Sequence, residues 1–308
     1  RLQYYQSLDD VSPEPRLGLK YNISDKLRFK LAAGLYSQNL LSTVNERDIV
    51  NLFVGFLSGP EETVYKPNST EPTEHRLQKA LHGVTGFEID ITNNFEVNIE
   101  GYYKKFTQLL SLNRFKDEST DPNFFVETGD AYGIDFSMKL EGKRSYLWGS
   151  YSLGYVTRDD GEQVYPPVFD RRHNMNLVGT YLLGKSRKWE LGARWNFGSG
   201  FPFTLTQGFY TNINFDDGVG TDVVTGNPDG LPGIVYASKR NSGRLPYYHR
   251  LDLSLKRVFK FSKYASLEVT ASATNVYDRA NIFYYDRIRA ERVNQLPLIP
   301  GLSVAFQF

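Results

Sequence analysis

The 308-residue sequence predicts an all-β chain of the transmembrane antiparallel barrel class, and three observations predict it. Hydrophobicity alternates with a period of two in about eleven segments. Short turns and long loops alternate between those segments. Aromatic residues make up 15% of the chain, yet its mean hydropathy is −0.44. A barrel with an apolar outside and a polar inside joins these properties in one molecule.

The alternation is clearest over Trp189–Phe197. Trp189, Leu191, Ala193, Trp195 and Phe197 share one face, and Glu190, Gly192, Arg194 and Asn196 share the other. Phe95–Tyr103 repeats it. Phe95, Val97, Ile99, Gly101 and Tyr103 oppose Glu96, Asn98, Glu100 and Tyr102. Leu17–Ile23, Leu27–Leu35, Phe87–Ile91, Ile134–Leu140, Leu147–Tyr155, Met175–Leu183, Leu251–Leu255, Leu267–Ala273 and Leu302–Phe308 read the same way. A helical period fits only Asp48–Leu57, where a short helix is expected inside a loop. No apolar run approaches the roughly 18 residues that a transmembrane helix needs.

Turns of three to five residues are expected at 24–26, 92–94, 142–144, 184–188 and 262–264. Between them fall longer loops, roughly 38–79, 106–128, 157–170, 199–246 and 277–298. Membrane barrels keep tight turns at the periplasmic end and long loops at the extracellular end, whereas a soluble sandwich has no reason to segregate them. The first and last segments then both run downward, and an odd strand number does not close an ordinary bacterial barrel. Arg1–Leu8 alternates poorly as a twelfth strand, so further strands are expected upstream. The opening Arg-Leu-Gln-Tyr-Tyr fits either a processed N-terminus or a truncated chain.

Charge and composition exclude other classes. The net charge of +1 offers no surplus to neutralise phosphates, so no nucleic-acid partner is expected. The absence of cysteine removes disulfides and thiolate metal sites. No catalytic residues and no cofactor are expected. His75, His82, His173 and His249 are scattered without ligand spacing, and no Gly-x-Ser-x-Gly elbow occurs. His249, Arg250 and Asp252 read as a rim hydrogen-bond network ahead of an acid–base cluster. Asp216, Asp217, Asp222 and Asp229 supply oxygens of the kind Ca²⁺ takes, but Asp-Gly and Asn-Pro are also plain turn formers. Asn68-Ser-Thr70 reads better as surface loop than as a glycosylation acceptor.

On the polar faces, Glu88, Asp90, Glu96, Glu100, Asp135, Arg194, Asp252, Lys256 and Glu268 are expected to point to a lumen. On the last segment, Leu302, Val304, Phe306 and Phe308 form an apolar stripe ending on an aromatic, which resembles the signal read by the outer-membrane assembly machinery. In the two longest loops, Phe53, Phe56, Phe209, Tyr210 and Asn212 are candidate ligand contacts or loop packing.

A family resemblance follows from particular stretches. Pro15–Leu27 followed by Gly34–Gln38, Arg244–Leu255, Ala273–Arg279 and Arg292–Val304 resemble the barrels of TonB-dependent receptors of the Bacteroidota type. The likeness runs over nearly the whole chain. It implies a 22-stranded barrel of which this chain holds the C-terminal part, with a plug and further strands upstream. It also implies a bacterial outer-membrane location, lipid contact, energy coupling through the TonB complex, and import of a scarce nutrient of unknown identity. The competing readings are a passive porin or outer-membrane enzyme of about twelve strands, and a soluble β protein.

Overall fold

The computed structural model describes residues 1–42, 56–60, 62–66, 69, 71–113, 119–210, 233–262 and 264–308. Strand accounts for 67% of the described residues, and no helix occurs among them. In chain order the first strands are β1 Leu2–Tyr5, β2 Asp10–Pro13, β3 Arg16–Ser24, β4 Leu27–Gln38, β5 Leu40–Ser42, β6 Phe56–Ser58, β7 Gln78–Thr92 and β8 Phe95–Leu112. Then come β9 Phe124–Glu141, β10 Ser145–Asp159, β11 Val164–Tyr165, β12 His173–Leu183, β13 Trp189–Gly198, β14 Pro202–Phe203, β15 Thr206–Tyr210 and β16 Gly233–Tyr236. The last are β17 Gly243–Arg244, β18 Tyr248–Lys260, β19 Ser266–Thr274, β20 Ile282–Asp286, β21 Glu291–Asn294 and β22 Ile299–Gln307.

One large antiparallel sheet dominates, in the order β22-β19-β18-β13-β12-β10-β9-β8-β7-β4-β3, with β11 added onto β10. Every long strand pairs with its next long neighbour in the chain, as a meander does. Each segment expected to alternate forms one of these strands. Two expectations need correction. The loop expected over 106–128 is shorter, because β8 continues to Leu112 and β9 begins at Phe124. Leu109↔Glu127 through Leu112↔Phe124 extend the ladder beyond a bulge after Phe106, so period-2 hydrophobicity fails there while pairing persists. Residues 48–55 of the expected helix lie outside the described residues, and Phe56 and Leu57 are extended, pairing with Ser42 and Leu41. As its poor alternation implies, Arg1–Leu8 does not join the large sheet. Leu2–Tyr5 folds back on Asp10–Pro13 as a separate hairpin.

The register aligns all the alternating segments on two faces. Phe87↔Ile99, Ile99↔Phe136, Met175↔Phe197, Leu177↔Trp195 and Trp195↔Leu251 carry one apolar face across the sheet. That face is open. Leu19, Tyr21, Phe87, Ile99, Tyr103, Ile134, Leu191 and Leu302 are all exposed. The buried clusters are small and sit at the loop end: Leu41, Val64, Leu110 and Val126 in one, Tyr5, Leu8 and Leu77 in the other. An exposed apolar face of this extent, with no core beneath it, belongs against lipid rather than water.

The opposite face is polar and closely fitted. Tyr102 opposes Gly133, which opposes Gly154 on the next strand. A Cβ at Gly133 would lie 2.7 Å from the Tyr102 hydroxyl, and one at Gly154 would lie 2.8 Å from it. Glycine at both positions lets the ring lie along the wall instead of standing off it.

The two faces yield a direct test. Leu253 opposes Ala193 and Ala273 on the apolar face, and Ser254 opposes Gly192 and Ser272 on the polar one. Leu253→Arg should destabilise the folded barrel by roughly 2–4 kcal/mol near a bilayer midplane. Ser254→Arg should be far milder. Urea unfolding in lipid vesicles measures both, and equal losses would refute the assignment of faces.

Candidate functional site

The polar face carries charge at its short-turn end. Arg28 donates to Glu88 at 2.5 Å and to both oxygens of Asp90 at 2.7 Å. Lys30 pairs with Glu88 at 2.7 Å and lies 3.7 Å from Glu100. Farther along, Lys256 pairs with Glu190 at 3.2 Å and Arg250 with Asp252 at 2.9 Å, while Arg194 stands opposite Asp252. Glu96 accepts weakly from Asn98, and the register brings Asp135 opposite Glu100 and Glu268 opposite Val258. All nine charged residues singled out in the sequence therefore share this face. They form a charged band in which Glu88, Asp90, Glu100, Asp252 and Lys256 have ion-pair partners, and no binding centre emerges from them.

His249 does not join Arg250 and Asp252. Neighbours in a strand point to opposite faces. His249 accordingly lies opposite Phe197 and bonds the Tyr277 hydroxyl at 2.7 Å. The acid–base cluster is absent. Among the described residues no three His, Asp or Glu side chains converge as a metal site. Asp216, Asp217, Asp222, Asp229, Phe53 and Asn212 lie outside the described residues. Phe209 and Tyr210 sit exposed on β15, and Phe56 lies in β6. Leu302, Val304, Phe306 and Phe308 are exposed along and just beyond the edge strand β22.

The more organised chemistry lies at the loop end, around two carboxylates that are fully buried. Glu127, in β9 just past the bulge, receives the Tyr165 hydroxyl at 2.8 Å, Arg158 at 3.2 Å and Arg240 at 3.4 Å. Arg240 also pairs with Asp160 at 2.8 Å, and its guanidinium lies 3.6 Å above the Tyr165 ring. Burial pushes the Tyr165 hydroxyl pKa up, and the Glu127 charge adds to that. Burial alone would raise Asp160. The Gln163 backbone N–H and the Arg240 guanidinium outweigh it and hold this carboxyl below its usual range.

The second carboxylate, Asp170, binds Arg244 and Arg172 and accepts the Val156 N–H at 3.3 Å. Arg244 also reaches the carbonyls of Asp170 and Gly200, both at 3.2 Å. Asn241 extends the stitching, donating to the Pro166 carbonyl at 2.8 Å. The β10–β12 and β13–β18 connections are thus tied to each other and to the sheet.

A cavity of about 510 Å³ opens beside this clasp. It lies between the ends of β13 and β18 and the β19–β22 connection. Arg171, Phe201, Tyr248, His249, Arg279 and Arg292 are among its lining residues. Gly198 makes room for Arg171, since a Cβ there would meet the guanidinium carbon at 2.6 Å. The polar connection over the cavity is held by Asn275, fully buried at φ 54°, whose amide donates to the carbonyls of Arg279 and Leu296. Asn281 pairs with both backbone groups of His249. Sequence reading missed Glu127, Asp170, Arg171 and Arg240. No local spacing joins Glu127 to Arg240, and only the fold brings them together.

No protein-family model and no curated protein matches this chain. Solved structures do. The ferripyoverdine receptor of the outer membrane of Pseudomonas aeruginosa superposes with a TM-score of 0.60 at 10% identity, over 96% of this chain and 32% of that one. The ferric citrate transporter FecA gives 0.57 at 13% identity, over 96% and 37%. The Escherichia coli outer-membrane transporter YddB gives 0.59 at 11% identity, over 100% and 42%. The chain therefore spans between about a third and two fifths of the length of these proteins. At such identities the likeness establishes the fold alone, an antiparallel strand meander shared with the barrels of these proteins.

The clasp yields a prediction. Glu127→Ala removes the carboxylate shared by Arg158 and Arg240, and losing one partner of a buried pair costs about 3–5 kcal/mol. Hydrogen exchange should accelerate in peptides spanning 160–170 and 236–246 and stay unchanged at Leu177–Leu183. Acid should weaken the same clasp. Asp160 titrates below its usual range when folded, so its contribution is complete above the unfolded carboxylate pKa and is lost as pH falls through the lowered one. Wild-type exchange in Glu127→Ala would show that the loops are held elsewhere.

Proposed function

We propose that this chain is the C-terminal barrel portion of a TonB-dependent outer-membrane receptor of the Bacteroidota type, which imports a scarce nutrient by energy-coupled transport. The observation that carries the proposal is the inside-out sheet: a continuous exposed apolar face, a charged opposite face, tight turns at one end and organised loops at the other. The apolar face contacts outer-membrane lipid, and the polar face borders the lumen. Glu88, Asp90, Glu96, Glu100, Asp135, Arg194, Asp252, Lys256 and Glu268 then form a wall suited to hydrogen-bonding an upstream plug that contacts TonB. The similarity to a ferripyoverdine receptor and a ferric citrate transporter supports a nutrient-receptor reading.

Aromatic placement supports the membrane position. Tyr103, Tyr132 and Tyr155 align in one row on adjacent strands near the loop end, with Tyr132 and Tyr155 stacked at 5.3 Å. Near the turn end, Arg257 lies 4.8 Å from the Trp189 ring. Trp189 and Phe197 are eight steps apart, about 27 Å along the strand. Aromatic rings at the two ends of such a span mark the girdles at the headgroup levels. The stripe Leu302, Val304, Phe306 and Phe308 faces the same side and is suited to recognition by the assembly machinery.

Two measurements on the full-length protein in cells test the proposal. An epitope inserted at Asp217 should be reached by antibody on intact cells, and uptake should stop when the proton-motive force is dissipated. An epitope reached only after permeabilisation would invert the topology. Uptake that persists without the proton-motive force would indicate a passive porin.

A further inference from the structure

We infer that the cavity beside β18 is a binding site for a small, multiply anionic ligand carrying a flat or apolar surface. The inference names a ligand class for the loop-end site and so rests on the receptor reading above. Its first support is a contrast in how arginines are used at this end of the molecule. Arg158, Arg240, Arg244 and Arg172 all face the buried carboxylates of Glu127 and Asp170. Arg171, Arg279 and Arg292 make no ion pair among the described residues, and these are the three arginines that line the cavity. No Asp or Glu lines it among the described residues.

Arg171 is the clearest of the three. Its guanidinium carbon lies 4.2 Å from the centre of the Phe201 ring and 5.7 Å from that of Tyr248. Its Nε is buried without an acceptor. Rings hold the cation in place and supply no oxygen to pair with it. Arg279 spends one donor on the Tyr247 carbonyl at 2.9 Å, and its Nε is likewise buried and unpaired. Arg292 donates to Asn294 at 2.7 Å and to the Ala280 carbonyl. Carbonyls accept hydrogen bonds without cancelling a charge, so three cationic heads face one space uncompensated. Planar guanidinium donors pair best with carboxylate or phosphate oxygens.

The walls define the rest of the ligand. Tyr247 and His249 belong to one face of the strand end and Tyr248 to the other, so the cavity wraps the end of β18. Tyr247 packs on Phe197 at 5.7 Å between ring centres, and Tyr277 on His249 at 5.3 Å. Flat aromatic walls next to guanidinium groups fit a ligand that carries anionic groups on an apolar body. A free polycarboxylate and a lipid headgroup phosphate share this chemistry.

The test uses pyranine, a planar trisulfonate fluorophore, with the full-length protein in detergent. Heat-modifiable migration first establishes that the barrel is folded. Saturable binding by fluorescence anisotropy is expected, weakened roughly tenfold or more by Arg171→Gln. Arg289→Gln should bind as wild type, because Arg289 is exposed, approaches Asp286 and lies outside the cavity. If Arg171→Gln fails to fold, the exposed cavity residue is tested instead through Arg292→Gln, with the same loss expected. Displacement by citrate assigns the site to free anions, and displacement by phosphatidylglycerol micelles alone assigns it to lipid; either supports the site. Absence of saturable binding to folded protein, binding unchanged in the cavity variant, or displacement by neither competitor would overturn it. Pyranine binding that survives in a protein without energy-dependent uptake would leave the anion site standing and sink the transport reading.

Discussion

Backbone pairing is the constraint on which the rest of this structure depends. In an apolar surrounding an unpaired N–H or C=O costs several kcal/mol, so a strand meander must satisfy every interior strand from both neighbours. The ladder from β3 to β22 does this in register. Once the register is set, the period of two decides the chemistry of each face with no further freedom. A slip of one residue would bring Glu88 and Asp90 onto the face of Phe87 and Ile99. The Arg28–Glu88–Asp90 network opposes such a slip, because its short contacts exist only with Arg28 directly opposite Glu88. Similar pairs of charged neighbours recur at Lys256–Glu190. Charge on the polar face therefore supports the register that keeps the other face apolar.

At the loop end the same constraint relaxes, and side chains replace the ladder. Long connections cannot pair all their backbone groups with each other, so buried side chains do it. Asn275, Asn281, Asn241 and Asp170 each bond backbone atoms of a different segment. Glu127 and Asp170 act as buried anchors that collect arginines from several connections. A charge with no exposure is tolerated only when its partners are in place, which makes the loop arrangement cooperative. The organised loop end then holds aromatic and guanidinium groups around a cavity in fixed positions. Rigid placement of this kind lowers the ordering cost of binding.

How much of this was legible in the sequence follows from the range of the interactions. Strand positions and faces were readable because alternation is local, and Trp189–Phe197 shows both faces within nine residues. Turns such as 92–94 were readable for the same reason. The extent of β8 and β9 was not, because a bulge after Phe106 breaks the alternation while hydrogen bonding continues. The nine charged residues on the polar face were identifiable by parity alone. Glu127 and Arg240 were not, being 113 positions apart and joined only through packed loops. His249 shows the opposite limit, because the rim hydrogen-bond network preferred for His249, Arg250 and Asp252 divides between the two faces. Sequence adjacency to Arg250 does not bring the two side chains together, since His249 stands opposite Phe197 and Arg250 opposite Asn196.

That last case bears on how a barrel builds a site at its rim. Along a strand, consecutive side chains are committed to opposite sides, so a compact cluster cannot be assembled from i and i+1 within the ladder. Convergence becomes possible only where the ladder ends and another segment crosses it. Tyr247, Tyr248 and His249 occupy that boundary at the start of β18, and the β19–β22 connection supplies Tyr277, Arg279 and Arg292 across it. Gly198, at the end of β13, removes the one Cβ that would exclude Arg171 from the same space. The cavity therefore arises where the sheet stops dictating side-chain direction. By the same reasoning, changes in connection length between β19 and β22 would alter the cavity without disturbing the ladder, so ligand preference can vary on a barrel whose strands stay fixed.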